Sequence, residues 1–133
     1  MCEQNVATVR AIWDAVNRGD FDEAVEHLPE EFVADWSASN SPESGVYSGR
    51  DEIRRIFERA SESWSEVDYF ESEVIVAGDS VVRVGGLRAR GRGSGAEVVA
   101  HGTQVWTFSE GTPVSVRLYQ SREEALEAVG LAE

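Results

Sequence analysis

The chain has 133 residues, enough for one domain with its own core, and its 41% hydrophobic content is ordinary for a soluble globular protein. A formal net charge of −13 argues against nucleic-acid binding and against docking on an anionic membrane surface. No apolar run is long enough to span a bilayer, "MCEQNVATVR" lacks a signal-peptide pattern, and the lone Cys2 has no partner for an internal disulfide, so a cytoplasmic location is expected.

The predicted elements begin with a helix. Val6, Val9, Ile12, Trp13 and Val16 repeat at helical spacing. "NRGD" stops that helix at Gly19. Asp20 is placed to cap the next helix, with Glu23 completing a capping-box pattern. Phe21, Ala24, Val25 and Leu28 form the second apolar stripe, and Pro29 follows it. Phe32 to Trp36 reads as a short strand. "SASNSPESGVYSG" then reads as a turn-rich loop. Ser48 and Asp51 look like a cap pair for a third helix with the stripe Ile53, Ile56, Phe57, Ala60 and Trp64.

The second half reads as strands. Segments near 67–77, 80–92, 96–109 and 113–120 are rich in Val, Tyr, Phe and Trp. Short Gly-containing separators predict three successive hairpins. Ser121 and Glu124 open a last helix with Ala125, Leu126 and Val129 as its stripe, ended by Gly130. The order predicts a single α+β domain over residues 1–133, with helices gathered on one face of a curved antiparallel sheet. Such a sheet can enclose a pocket.

Three polar residues interrupt the apolar pattern. In "EEFVADWSAS", Asp35 sits inside a strand. It is either a structural acid satisfied by backbone donors of the Ser-rich loop, or an acid–base group whose pKa desolvation raises. Alternation sets it with Val33, opposite Trp36, so a bulge or the strand end must re-aim it to reach a pocket. Gln104 shares a face with Trp106 and Phe108, and Gln120 ends the face of Val116 and Leu118. Each amide must meet a ligand, water or a partner at a loop or helix end.

The two histidines, His27 and His101, have no metal-ligand spacing, and no metal or cofactor is expected. Neither a G-x-S-x-G elbow nor a phosphate loop is present. All 12 basic residues are arginine. An acid-rich, Lys-free surface suits a host with high internal salt, or reflects a GC-rich genome. Arg88, Arg90 and Arg92 alternate along one strand and read as a solvated face pairing with local acids.

The segments "VRAIWDAVNRGDFDEAVEHL", "GVYSGRDEIRRIFERASESW" and "HGTQVWTFSEGTPVSVRLYQSREEALEAVGL" cover most of the chain. They resemble the SnoaL-like polyketide cyclase branch of the nuclear-transport-factor-two-like, or ketosteroid-isomerase-like, superfold. That resemblance implies a cone-shaped α+β fold with a central pocket and a homodimer packed through the sheet. Asp35 in "VADW" falls where ketosteroid isomerase has its base. The second acid of that enzyme falls at Gln104, and its first-helix tyrosine near Ile12, so most of its oxyanion hole is missing here.

The expectation is a pocket protein for a small apolar organic molecule. As an enzyme it would move a proton next to a carbonyl in isomerisation, cyclisation or dehydration, without a cofactor. Asp35 would act as base and Gln104 would polarise the carbonyl, with Gln120 or Tyr47 helping. Trp13, Trp36, Phe57 and Trp106 would shape the apolar wall or simply pack the core. The alternatives are a noncatalytic ligand-binding domain and a dimeric interaction module with a filled cavity.

Overall fold

The computed structural model of the protein describes residues 2–39 and 44–131, apart from the side chain of Cys2. The part of the turn-rich loop at 40–43 therefore lies outside the described residues. The elements run α1 (Cys2–Asn17), α2 (Phe21–Glu26), β1 (Val33–Asp35), β2 (Val46–Ser48), α3 (Arg50–Glu62), β3 (Trp64–Ala77), β4 (Ser80–Gly91), β5 (Glu97–Ser109), β6 (Thr112–Tyr119) and α4 (Arg122–Ala128).

The helix ends follow local chemistry. The Asp20 carboxylate accepts the Glu23 N–H at 3.1 Å, while the Glu23 carboxylate turns to Arg18 instead of closing the capping box. Ser121 Oγ accepts the Glu124 N–H at 3.1 Å. At α3 the expected Ser48 cap is corrected to Gly49. Ser48 is held in β2 opposite Val33, and Gly49 turns the chain at φ 88°, a region open to glycine. Glu52 reaches back to accept the Ser48 N–H at 3.0 Å. Trp64, expected on the third helix, opens β3 opposite Gly91 because the hairpin ladder already claims it.

The six strands form one open sheet in the order β2-β1-β6-β5-β4-β3. The three long hairpins are antiparallel, as expected. The short β1 joins the sheet parallel to β6 and antiparallel to β2. Gly85 and Gly86 mark the place in β4 where neighbouring backbones come closest. A Cβ there would lie 2.0 Å from the Phe70 carbonyl oxygen and 2.1 Å from that of Ala100. A register shift in β3 between Glu71 and Glu73 sits beside them, and such bulges bend a sheet.

The concave face receives α1, α2 and α3. Val9, Ile12, Val16, Phe32, Val81 and Trp106 belong to this main core. The placement of α4 corrects the expectation that all helices share one face. It covers the opposite face, where Ala125 packs with Val82 and Val105 in a second, smaller core. Arg122 on α4 ties to Glu73 on β3 at 2.8 Å. Beyond α4 the outer face stays open, with Phe70 edge-on to His101 at 5.9 Å and Arg88 over the Phe70 ring. Arg88 pairs with Asp68, and Arg90 with Glu66 and Glu97.

Candidate functional site

Strand parity decides which side chains can meet beneath the helices. Ala34, Val116, Trp106 and Val81 form one cross-sheet row, and all are buried on the concave side. The next row holds Asp35, Arg117, Val105 and Val82, which face the other way.

On the concave side six aromatic residues converge on one cavity: Trp13 from α1, Phe32 before β1, Trp36 after it, Tyr47 from β2, Phe57 from α3 and Trp106 from β5. Trp13 meets Phe57 edge-on at 5.8 Å, and Phe32 lies 5.6 Å from Trp106. Aliphatic side chains complete the wall. The cavity measures about 20 Å³, room for one water-sized guest. Trp13 and Trp106 are fully buried, whereas Trp36, Tyr47 and Phe57 are half-buried and close it on the solvent side. The five aromatic residues expected from the sequence thus share one cavity wall.

Gln104 stands behind that wall rather than on it. Its amide oxygen accepts the indole N–H of Trp13 at 3.0 Å and that of Trp106 at 2.9 Å. One acceptor therefore fixes two rings from opposite layers of the core. The expected role at a substrate carbonyl is not the one this geometry gives it. Polarising a carbonyl would fall to the Gln104 Nε2–H as donor, and the residue does not line the cavity. Gln120 is also corrected. It is exposed, and its Nε2 donates to the Ala38 carbonyl, so it ties the loop after β1 to the end of β6.

Asp35 faces away from the cavity, on the side that alternation with Val33 gives it, and no bulge re-aims it. Its Oδ1 accepts the Ser37 hydroxyl at 2.6 Å and the Ser37 N–H at 3.0 Å. Arg117 stands 3.7 Å from Oδ2. These bonds to Ser37, with Arg117 adding to them, hold the carboxyl below its ordinary pKa. Of the two alternatives, this geometry is that of the structural acid: the donors favour the charged form and the side chain keeps 28% of its exposure, so the rise that desolvation would bring does not occur. A depressed pKa makes Asp35 stabilising above the ordinary aspartate range, and this contribution is lost as pH falls through the folded-state value. Ser37→Ala should move the Asp35 titration back up toward the ordinary range. Carboxyl-carbon NMR titration reads this directly, and an unmoved midpoint would contradict the assignment.

Arg83 is the polar residue that the sequence does not single out. It lies on β4 opposite Gln104, on the concave face, and is only 4% exposed. Its guanidinium sits 5.0 Å above the Trp13 ring. Nη2 donates to the Tyr69 carbonyl at 3.3 Å. Nε is buried without a hydrogen-bond partner and approaches Glu71 at 3.4 Å. Burial pulls the Arg83 pKa down, and the neighbouring Glu71 opposes that shift. Glu71 is shared with Arg10, which binds it at 2.8 Å.

Among the described residues, no three of His, Cys, Asp and Glu come together to hold a metal ion. No helix among them is long and apolar enough to cross a membrane.

A family model described as a SnoaL-like domain matches residues 9–116. Comparison with curated proteins gives no match. Among solved structures, Bal32a from a soil-derived mobile gene cassette is similar at a TM-score of 0.78 and 22% identity, covering 96% of this chain and 97% of that one. TerC, co-crystallised with polyporic acid, gives 0.76 and 14%, covering 95% and 98%. A putative polyketide cyclase from Xanthomonas campestris pv. campestris gives 0.75 and 19%, covering 97% and 98%. At these identities the likeness establishes the cone-shaped α+β fold and no shared activity.

Proposed function

The chain belongs to the SnoaL-like domain family, and from that premise we propose that it is a binding protein for a small apolar organic molecule, held in the aromatic cavity. One observation carries this reading. Six aromatic rings converge on a cavity whose wall, among the described residues, holds no carboxylate, histidine or cysteine. Such a wall binds by apolar contact and shape rather than by proton transfer. A guest larger than water displaces the half-buried Trp36, Tyr47 and Phe57, which form the solvent side of the wall.

The test is calorimetric titration with 2-naphthol, a neutral fused-ring compound. Saturable binding, lost in Phe57→Asp, supports the reading. Absence of binding up to the solubility limit overturns it. Asp35→Asn should leave the affinity unchanged, because Asp35 faces the other side of the sheet.

The enzyme reading has one observation in its favour. Two solved relatives are described as polyketide cyclases, putative ones. Here it would rest on the Tyr47 hydroxyl, the ionisable group on the wall among the described residues, which donates to the Ser44 carbonyl at 3.3 Å. Turnover of a ketone that survives Asp35→Asn and fails in Tyr47→Phe would favour it over simple binding. The open outer face around Phe70, Val99 and His101 is our proposed homodimer surface. Light scattering should then give about twice 14.6 kDa, and a monomer mass rejects it.

A further inference from the structure

We propose that the ligand is amphipathic and anionic, with its apolar body in the aromatic cavity and a carboxylate or similar acidic group against Arg55 and Arg59. This deepens the binding reading above and rests on it. The observation is a second, open groove of about 360 Å³ beside the cavity. Val46, Tyr47 and Ile56 form its apolar side, and Glu52, Arg55 and Arg59 its polar side. Tyr47 and Ile56 line both spaces, so they form the wall that the groove and the cavity share, and a guest that displaces Tyr47 joins the two.

The two arginines are unusual within this chain. Eight of the 12 arginines make an ion pair with a carboxylate, as expected where acids outnumber bases by 25 to 12. Arg50 and Arg92 instead donate to backbone carbonyls of distant residues, Leu28 and Glu62. Arg55 makes one long bond, 3.3 Å, to the Asp51 carbonyl of its own helix. The Arg59 side chain has no hydrogen bond or ion pair among the described residues. Residues four apart on a helix project from one face, so both guanidinium groups serve the same groove.

The local alternatives explain less. Arg59 lies in the last turn of α3, where the helix dipole favours a cation, but Arg55 is mid-helix. Glu52, the acid facing the groove, spends an oxygen on the Ser48 N–H rather than on either arginine. The net charge of −13 repels an anion at long range. That field is screened over about 8 Å at physiological salt, so the nearby arginines decide the contact. A planar guanidinium pair matches a carboxylate well, and only the shared wall of Tyr47 and Ile56 stands between that contact and the apolar space.

The test compares 2-naphthoate with its neutral isostere 2-naphthamide, by calorimetry at 0.15 M and 1 M NaCl. The wild type should bind the carboxylate about tenfold tighter than the amide at 0.15 M, the size of one or two charge-assisted contacts. That ratio should fall to about one in Arg55→Gln/Arg59→Gln and in 1 M salt. Both positions are exposed, and circular dichroism verifies that the double variant is folded. The salt arm tests the same contact in the unaltered chain. Equal affinity for the two compounds in the wild type overturns the anionic subsite and leaves the apolar pocket standing. Binding of neither compound, with 2-naphthol also inert, overturns both readings.

Discussion

Glu71→Ala should destabilise the fold by about 3 kcal/mol, whereas Arg83→Met should cost little or nothing. The two variants remove opposite sides of the Arg83–Glu71 pair, Glu71→Ala also releasing the exposed Arg10, and their consequences differ because of where each charge sits. Arg83 is 4% exposed, between the Trp13 ring and the β3 backbone. Its guanidinium stays charged under any ordinary condition. Without Glu71 that charge remains in a poorly hydrated place with an unpartnered Nε and a single backbone acceptor. With Met in its place there is no charge to solvate, and the apolar stem is replaced by one of similar shape. The lower end of the usual range applies because Glu71 is 22% exposed and water reaches the site. Urea unfolding at constant m-value measures both. Equal losses for the two variants would mean the pair itself stabilises the fold, contrary to this reading.

Gln104→Leu should cost about 2–4 kcal/mol, more than the loss of any single hydrogen bond. The substitution removes one oxygen but strands two indole N–H groups, those of Trp13 and Trp106, both buried. Each unsatisfied buried donor costs about 1–3 kcal/mol. A double-mutant cycle separates the hub from simple packing. In the Gln104→Leu background, Trp13→Phe should cost less than it does in the wild type, since its N–H is already stranded. Additive losses would show that the hydrogen bonds contribute nothing beyond volume. The same variant should weaken binding of 2-naphthol, because the Trp13 and Trp106 rings are cavity walls held from behind by this amide.

The four long antiparallel strands were legible because Val, Tyr, Phe and Trp alternate between glycine-containing turns. The capping residues of α2 and α4 were legible because a carboxylate or hydroxyl three residues before an acid is a local signal. β2 was not. It is three residues in a Ser- and Gly-rich stretch, and only its pairing with β1 makes it a strand. The side taken by α4 was not legible either, since the stripe of Ala125 and Val129 says that the helix packs but not against which face.

The site divides in the same way. Trp13, Trp36, Phe57 and Trp106 stand out as large apolar residues of the predicted elements, whereas Tyr47 lies in a stretch that reads as a loop and Phe32 was not among the expected wall residues. Asp35 was correctly set by alternation with Val33, on the face away from Trp36, and the family resemblance pulled it toward the pocket against that parity. Gln104 was visible as an amide among apolar neighbours, but its partner Trp13 is 91 residues away and its commitment to two indoles needs the assembled core. Arg55 and Arg59 were visible only as charges on a helix. What marks them is the absence of a carboxylate partner among the described residues, in a chain where acids are plentiful, and that is a property of the folded surface.

The most direct test of the binding site is the set of four indole N–H resonances of the nitrogen-15-labelled protein, followed during titration with 2-naphthol. Trp13, Trp36 and Trp106 line the cavity, and Trp64 lies outside it at the start of β3. The cavity assignment predicts that the first three signals shift together and saturate while Trp64 stays in place. A shift confined to Trp64, or no shift in any of the four, would contradict it.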